Sequence, residues 1–477
     1  MIVNPSVAPI SNSARSMIMY ELNEVPWAIV DWYISKKPNS NISKLIAASR
    51  CYTSTTSDQG ELHPWVTWPT LHRGVDNTVH GIEFLNQDLT TASAFPPLWE
   101  TAAEAGKKVG VFGSLQSYPI PEGQSYAFYV PDTFAPRPDT YPAEYTALQE
   151  LNIRQTANDG GIVSSVKIDA GVFSIVIRLL RVGLSFRSIA RIVRQLCLER
   201  INSDYKTRRA VLQAPIAFDV FMHAFKRRRP ELSTFFTNHV AGMMHRYWKH
   251  GLSSVEAEQR RDPIRASNIE FAMDVADEQI GALRKIADRS HAHLLILSSM
   301  GQAPIERRGG DQVRINDVDR FVRAAGFVGR YTEQLAMHPD FNFAFETTDD
   351  ANAFAHLVQE MRYSDGRSIT YKVHVCGPTV NIGIAQPAHS RDRDWISHGE
   401  HGRELSFAEA GLLRFARDIG TAYHVPEGIL IWYDQKTAPD LSRQRIDSRA
   451  IRPMILAAVG VEDPRTASAQ RQMKQFA

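Results

Sequence analysis

The 477-residue chain has little cysteine: Cys51, Cys197 and Cys376 stand far apart and form no Cys-x-x-Cys pair. That spacing excludes a disulfide-stapled scaffold and a thiolate zinc site, and it reads as a reducing compartment. Long apolar runs are missing too, with no stretch of about 18 residues fit to span a bilayer as a helix. The opening residues, MIVNPSVAPISNSARSM, lack the charged-then-apolar order of a secretory leader, so the sequence predicts a cytoplasmic protein. Nor does charge of one sign prevail. With 54 basic and 52 acidic residues the net charge is +2, which carries no nucleic-acid footprint. What is present is length for a large core, as one elaborated α/β domain or as two or three domains.

Apolar patterning gives the architecture. Residues 16–22 (SMIMYEL) read as a buried strand entering a polar turn, Asn23-Glu24, and then a helical VPWAIVDWYI, the opening of a βαβ unit. The alternation continues with a helix over 97–105, a strand over 108–113, an extended segment over 125–131, strand character at 234–239, a helix over 266–286 and the apolar strand 293–297. Such alternation predicts an α/β fold with a mostly parallel sheet.

At 158–161, Asn-Asp-Gly-Gly is a strong loop signal, and the seventy residues after it are helical in period. The chain therefore divides into an α/β body, 1–157 and 230–477, and a helical, basic insertion, 158–229. In the insertion Val172, Phe173, Val176, Ile177 and Leu180 share one helical face, and Ile189, Ile192, Val193 and Leu196 another. Arg178, Arg181, Arg187, Arg191, Arg194 and Arg200 line the polar side. Two readings follow: a peripheral contact with an anionic surface, where each basic residue contributes about 1 kcal/mol, or a solvated face over an apolar stripe docked on the core.

Four motifs carry chemistry. Residues 61–82, ELHPWVTWPTLHRGVDNTVHGI, set Thr67 before Trp68-Pro69, with proline suited to a first helical position. A hydroxyl there would face unpaired N–H groups and the positive end of a helix dipole, a setting that stabilises an anion. His245-Arg246-Tyr247-Trp248 follows the strand at 234–239, Ser298-Ser299-Met300-Gly301 follows 293–297, and His424-Val425-Pro426-Glu427-Gly428 precedes a last apolar strand.

In this order the motifs resemble the alkaline phosphatase superfamily, especially its type I phosphodiesterase/nucleotide pyrophosphatase branch, over residues 16–132 and 230–434. The resemblance implies an α/β/α sandwich with a central, mostly parallel sheet, and a site in the loops at the carboxyl ends of its strands. It implies Thr67 as the nucleophile on phosphorus and His245 and His424 as metal ligands. Asn238 and Asn23 stand where the branch has metal-binding aspartates. Ser299 and Met300 replace the Asp-His of its best-known signature, so at most one divalent ion, zinc before others, is expected.

Glu21, two residues before Asn23 and on the same side of the strand, offers a compensating carboxylate, or the pair caps the next helix. The stretch from Thr67 to its closing glycine is shorter than in the branch, and a gap-free match on Trp68 puts Pro64 at the nucleophile position. Arg73, His398 and His401 would contact phosphoryl oxygens, although His398 and His401 also fit a solvated loop. Two functions remain. One is a phosphoester or phosphoanhydride hydrolase or transferase acting on a small phosphorylated substrate; the other is a non-catalytic relative that binds a phosphorylated ligand or a partner.

Overall fold

A computed structural model describes residues 14–122, 126–156, 170–252, 262–305, 311–336, 340–387, 394–398, 404–416 and 420–465. Its centre is β1 (Met17–Leu22), every residue of which is buried. Side chains alternate across a strand: Ile18, Tyr20 and Leu22 enter one apolar cluster, and Met17 and Met19 enter another. Such a strand needs cover on both faces, and the chain supplies it.

In chain order come α1 (Trp27–Lys36), α2 (Asn41–Ile46), β2 (Ser49–Thr55), α3 (Pro64–Arg73), β3 (Val109–Phe112), β4 (Tyr126–Val130), β5 (Leu232–Thr237), β6 (His293–Leu297) and β7 (Gly301–Pro304). Eight strands form the main sheet, in the order Asp440–Asp447, β2, Leu430–Tyr433, β6, β1, β5, β3, β4. Leu430–Tyr433 runs antiparallel to both β2 and β6, while the other neighbours in the sheet pair in parallel. One face carries α1, α2 and the helices Gln213–Arg228, His239–Leu252 and Asn268–Ser290. The other carries α3 and the helices Leu98–Glu104 and Ser448–Ala458. This is the expected α/β/α sandwich with a mostly parallel central sheet.

Residues 170–228 form the helices Ala170–Arg181, Phe186–Ile201 and Gln213–Arg228 with the 3-10 stretch Ser203–Leu212 between them. Ile175, Leu179, Val211, Val220 and Phe221 join the same apolar cluster as α1. The loop signal at 158–161 lies outside the described residues. A third cluster, from Val313 to Leu412, fills the strand-rich region built on the sheet Thr370–Cys376, Thr379–Ile384, Asp340–Phe345, Tyr331–Gln334. Among the described residues no helix is long and apolar enough to cross a membrane.

The start of α3 differs from the expectation. Pro64, not Pro69, takes the first position, and Pro69 lies inside the helix. Both prolines suit an N-terminus, and burial decides between them. Starting at Pro64 places Trp65, Val66, Trp68 and Leu71 in the core under the sheet, and each such side chain contributes about 1.5–3 kcal/mol. Pro69 then denies the Trp65 carbonyl its helical donor, and Gln116 Nε2 reaches that oxygen at 3.5 Å instead.

Candidate metal centre

Beyond β1 the chain turns through Asn23 and Glu24, and Glu24 adopts φ 59°, a left-handed conformation that a residue with a β-carbon holds only when its surroundings enforce it. From the next strand, β5, the helix His239–Leu252 brings His245. From the other side the strand Ala422–Val425 pairs antiparallel with β7, His424 opposite Gln302. That pairing depends on Gly301, where a β-carbon would lie 2.2 Å from the Glu427 carbonyl oxygen. All three side chains thus come from segments beyond the carboxyl ends of central strands, the usual place for a site in an open α/β sheet.

Glu24 Oε2 lies 2.9 Å from His245 Nε2 and 3.3 Å from His424 Nε2. Glu24 and His424 are almost wholly covered, while the His245 side chain is 31% exposed and leaves a way in. Each imidazole is oriented from behind: His245 Nδ1 donates to the Ala422 carbonyl at 3.0 Å and His424 Nδ1 to the Leu62 carbonyl at 2.5 Å. Both Nε2 atoms are therefore turned toward Glu24. The carboxylate is oriented as well, since Asn23 Nδ2 donates to Oε1 at 2.8 Å and Gln302 Nε2 donates to Oε2.

Burial works against a charge on Glu24, yet the two imidazoles, His424 first, outweigh it and hold the carboxyl well below its ordinary 4.5. Burial likewise works against a charged His424, and the negative charge of Glu24 outweighs it, so that this ring titrates above its ordinary 6.5. Three donor atoms gathered about one buried carboxylate are a place for a cation. The donor atoms lie within 4.8 Å of one another. In a tetrahedral zinc site with ligand distances of about 2.0–2.1 Å, donors stand about 3.4 Å apart, so these side chains fit the ion with little movement. Two imidazoles, one carboxylate and an open fourth position suit zinc better than magnesium or calcium, and the carbonyls behind both rings are the outer contacts such ligands need.

The structure thus brings His245 and His424 together, with Glu24 as their third partner. Asn23 and Asn238 are bonded to each other beside that centre. Asn23 Nδ2 donates to Asn238 Oδ1 at 2.7 Å, and its own Oδ1 accepts from Trp68 Nε1 at 2.8 Å, so its amide oxygen is already engaged. Glu21 does not compensate: it is fully buried, bonded to His72 at 2.8 Å and to Ser114.

Thr67 lies in the second turn of α3, completely buried, with its hydroxyl 2.7 Å from Ser299 Oγ. The helix start holds His63 as cap and Pro64, neither with a hydroxyl. Arg73 ends α3, about 13 Å along the axis from Pro64, and donates to the carbonyls of Ala92 and Phe95 at 2.8 and 2.7 Å. Burial lowers its pKa to about 10. It braces the turn at 90–95 and does not face the centre. His398 belongs to the small sheet with Met361–Tyr363 and bonds the Leu357 carbonyl at 3.2 Å. His401 lies outside the described residues.

Two members were missed in the sequence. Glu24 sits one position after the residue matched to the metal-binding aspartate, and only its left-handed backbone brings it round. His63 stacks on Trp65, ring centroids 4.4 Å apart, and meets His424 edge-on at 5.8 Å. Its Nδ1 is buried without a hydrogen-bond partner.

Neither a family model nor a curated protein sequence matches this chain. Among solved structures it is similar to human ectonucleotide pyrophosphatase/phosphodiesterase 5, at 9% identity and a TM-score of 0.41, over 94% of this chain and 96% of that one. The murine protein of that name, an inactive variant in complex with AMP, gives 11% identity and 0.41 over 94% and 95%. A phosphonoacetate hydrolase from Sinorhizobium meliloti in complex with phosphonoacetate gives 12% and 0.41 over 95% and 100%.

Proposed function

We propose that the chain is a one-cation phosphoester or phosphoanhydride hydrolase or transferase of the alkaline-phosphatase-like type, acting on a small phosphorylated molecule at Glu24, His245 and His424. The observation that carries this reading is the convergence of three donors, each fixed from behind by a separate hydrogen bond, beside the start of α3. Zinc is the ion that this donor set favours. When bound, it would polarise a phosphoryl oxygen and make a water more acidic.

The protein's own groups do the rest. The dipole of α3 favours an anion at its start, although Pro64 has no N–H and the Val66 and Thr67 N–H groups bond the His63 carbonyl. The His63 ring stands 5.8 Å from the His424 ring between centroids, and its unpartnered Nδ1, when the ring is protonated, offers a hydrogen bond to a phosphoryl oxygen. Since the Thr67 hydroxyl is buried against Ser299, the attack on phosphorus falls to water in a hydrolase and to the acceptor's own hydroxyl in a transferase.

A second reading, a non-catalytic relative that binds a phosphorylated ligand through the same cation, is favoured by that same burial of Thr67 and by Ser299 and Met300, both fully buried. Turnover of aryl phosphate mono- and diesters by zinc-loaded protein separates the two. The enzyme reading expects activity that His424→Ala abolishes, that Thr67→Val largely keeps, and whose KM rises roughly ten- to a hundredfold in His63→Gln, the loss of a hydrogen bond to a charged group. Saturable binding of inorganic phosphate without turnover would select the second reading, and absence of both would overturn the two together.

A further inference from the structure

The helices Ala170–Arg181 and Phe186–Ile201 dock Ile175, Leu179, Ile189 and Ile192 on the core and still show large apolar side chains to the outside. A surface helix normally buries its apolar side and shows its polar one. Here Phe186–Ile201 buries Ser188, Gln195 and Glu199. Outward it shows Val193, Leu196, Phe186 at 85% exposure and Ile201 at 81%. The buried polar side is accounted for: Glu199 is held by Arg209 and Gln195, and Gln195 also bonds the Tyr205 carbonyl. Ala170–Arg181 docks through Ile175 and Leu179 while Phe173, Ile177 and Leu180 face out. Half of the exposed large apolar side chains among the described residues, seven of fourteen, fall within these two helices. Soluble surfaces seldom gather apolar groups in this way unless something covers them.

The charge around them indicates what does. Residues 170–201 hold six arginines and one acidic residue, the buried Glu199. Arg178 pairs with Glu150, and Arg187 and Arg191 with Glu278. Arg181, Arg194 and Arg200 are exposed and have no acidic partner among the described residues. A symmetric second copy would set this patch against itself and bring arginine against arginine. Nucleic acid would match the arginines but not the phenylalanines, isoleucines and valine between them.

We propose that the outward face of these two helices lies on a membrane surface rich in anionic lipid. Phe173, Ile177, Phe186, Val193 and Ile201 enter the boundary between headgroups and acyl chains, and Arg181, Arg194 and Arg200 meet the headgroup phosphates and carboxylates. This assignment stands independently of the metal centre.

The test is sedimentation of the whole chain with vesicles of phosphatidylcholine alone and of equal parts phosphatidylcholine and phosphatidylserine. Binding to the mixed vesicles only, weakened by salt, is expected. An Arg181→Gln, Arg194→Gln, Arg200→Gln variant should bind about a hundredfold more weakly, and Phe186→Ser with Val193→Ser should lose binding. Both variants should melt as the parent does, since every changed side chain is exposed. No binding to the mixed vesicles, or equal binding by both variants, would overturn the assignment. So would a concentration-dependent dimer that dissolves on Phe186→Ser with Val193→Ser while vesicles are ignored, which would give the face to a second copy.

Discussion

At the scale of single residues the site turns on where two hydroxyls point. Thr67 and Ser299 satisfy each other in a fully buried position. Replacing either alone, by Thr67→Val or Ser299→Ala, leaves one buried hydroxyl unpaired and should cost about 1–3 kcal/mol in urea unfolding. The double variant should cost clearly less than the sum, because both polar groups are gone. Additive losses would mean that the two hydroxyls do not share a bond. Glu24 and His424 set a pH dependence. His424, raised above 6.5, stabilises the metal-free chain below that value, and this contribution is lost as pH rises through the raised pKa. Glu24, depressed below 4.5, contributes above 4.5 and loses its contribution as pH falls through its lowered value. The metal-free protein should therefore melt highest, as far as this pair is concerned, between 4.5 and 6.5. Zinc should raise the melting temperature most on the alkaline side, where the ion no longer competes with a proton for His424. A zinc effect that grows toward acid pH would contradict this. At this scale the sequence was half legible. Imidazoles flagged by recurring motifs, His245 and His424, do meet, whereas the carboxylate that joins them depends on a left-handed turn at Glu24, and no side-chain type announces a positive φ there.

At the scale of elements the centre is only as well placed as the strand Ala422–Val425 against β7. Gly301 permits that contact, and Gly301→Ala would force a β-carbon to within 2.2 Å of the Glu427 carbonyl oxygen. Backbone cannot yield there as a flexible side chain could, so the strand carrying His424 must move. The variant should lose several kcal/mol, of the order that overpacked or strained sites cost, and zinc affinity should fall with it. An unchanged zinc isotherm in Gly301→Ala would show that the pairing does not position His424. Elements were the most legible level. The apolar runs at 16–22 and 293–297 read correctly as central strands because a strand buried on both faces is apolar throughout. The start of α3 was not legible, since Pro64 and Pro69 both suit a first turn. The choice between them is made by how deeply Trp65 and Val66 sink beneath a sheet assembled from distant segments. Nor could periodicity tell which face of Phe186–Ile201 turns inward, because Ile189 and Ile192 pack on the core beside the buried Ser188, Gln195 and Glu199 while Val193 and Leu196 face out.

At the scale of the whole molecule, two apolar clusters clamp the sheet and leave the ends of its strands free to carry polar groups. Where the motifs at 245 and 424 converge, one cluster of cation-binding donors lies among the described residues. Ser299 and Met300, at the end of β6, are sealed into the core. The direct measurement is a zinc titration of metal-free protein, with bound equivalents counted by native mass spectrometry and stabilisation followed as a rise in melting temperature. One equivalent per chain is expected, lost in Glu24→Gln, His245→Ala and His424→Ala and kept in Asn238→Ala and Thr67→Val. Two equivalents, none, or one equivalent that survives the loss of Glu24, His245 and His424 would contradict the centre described here.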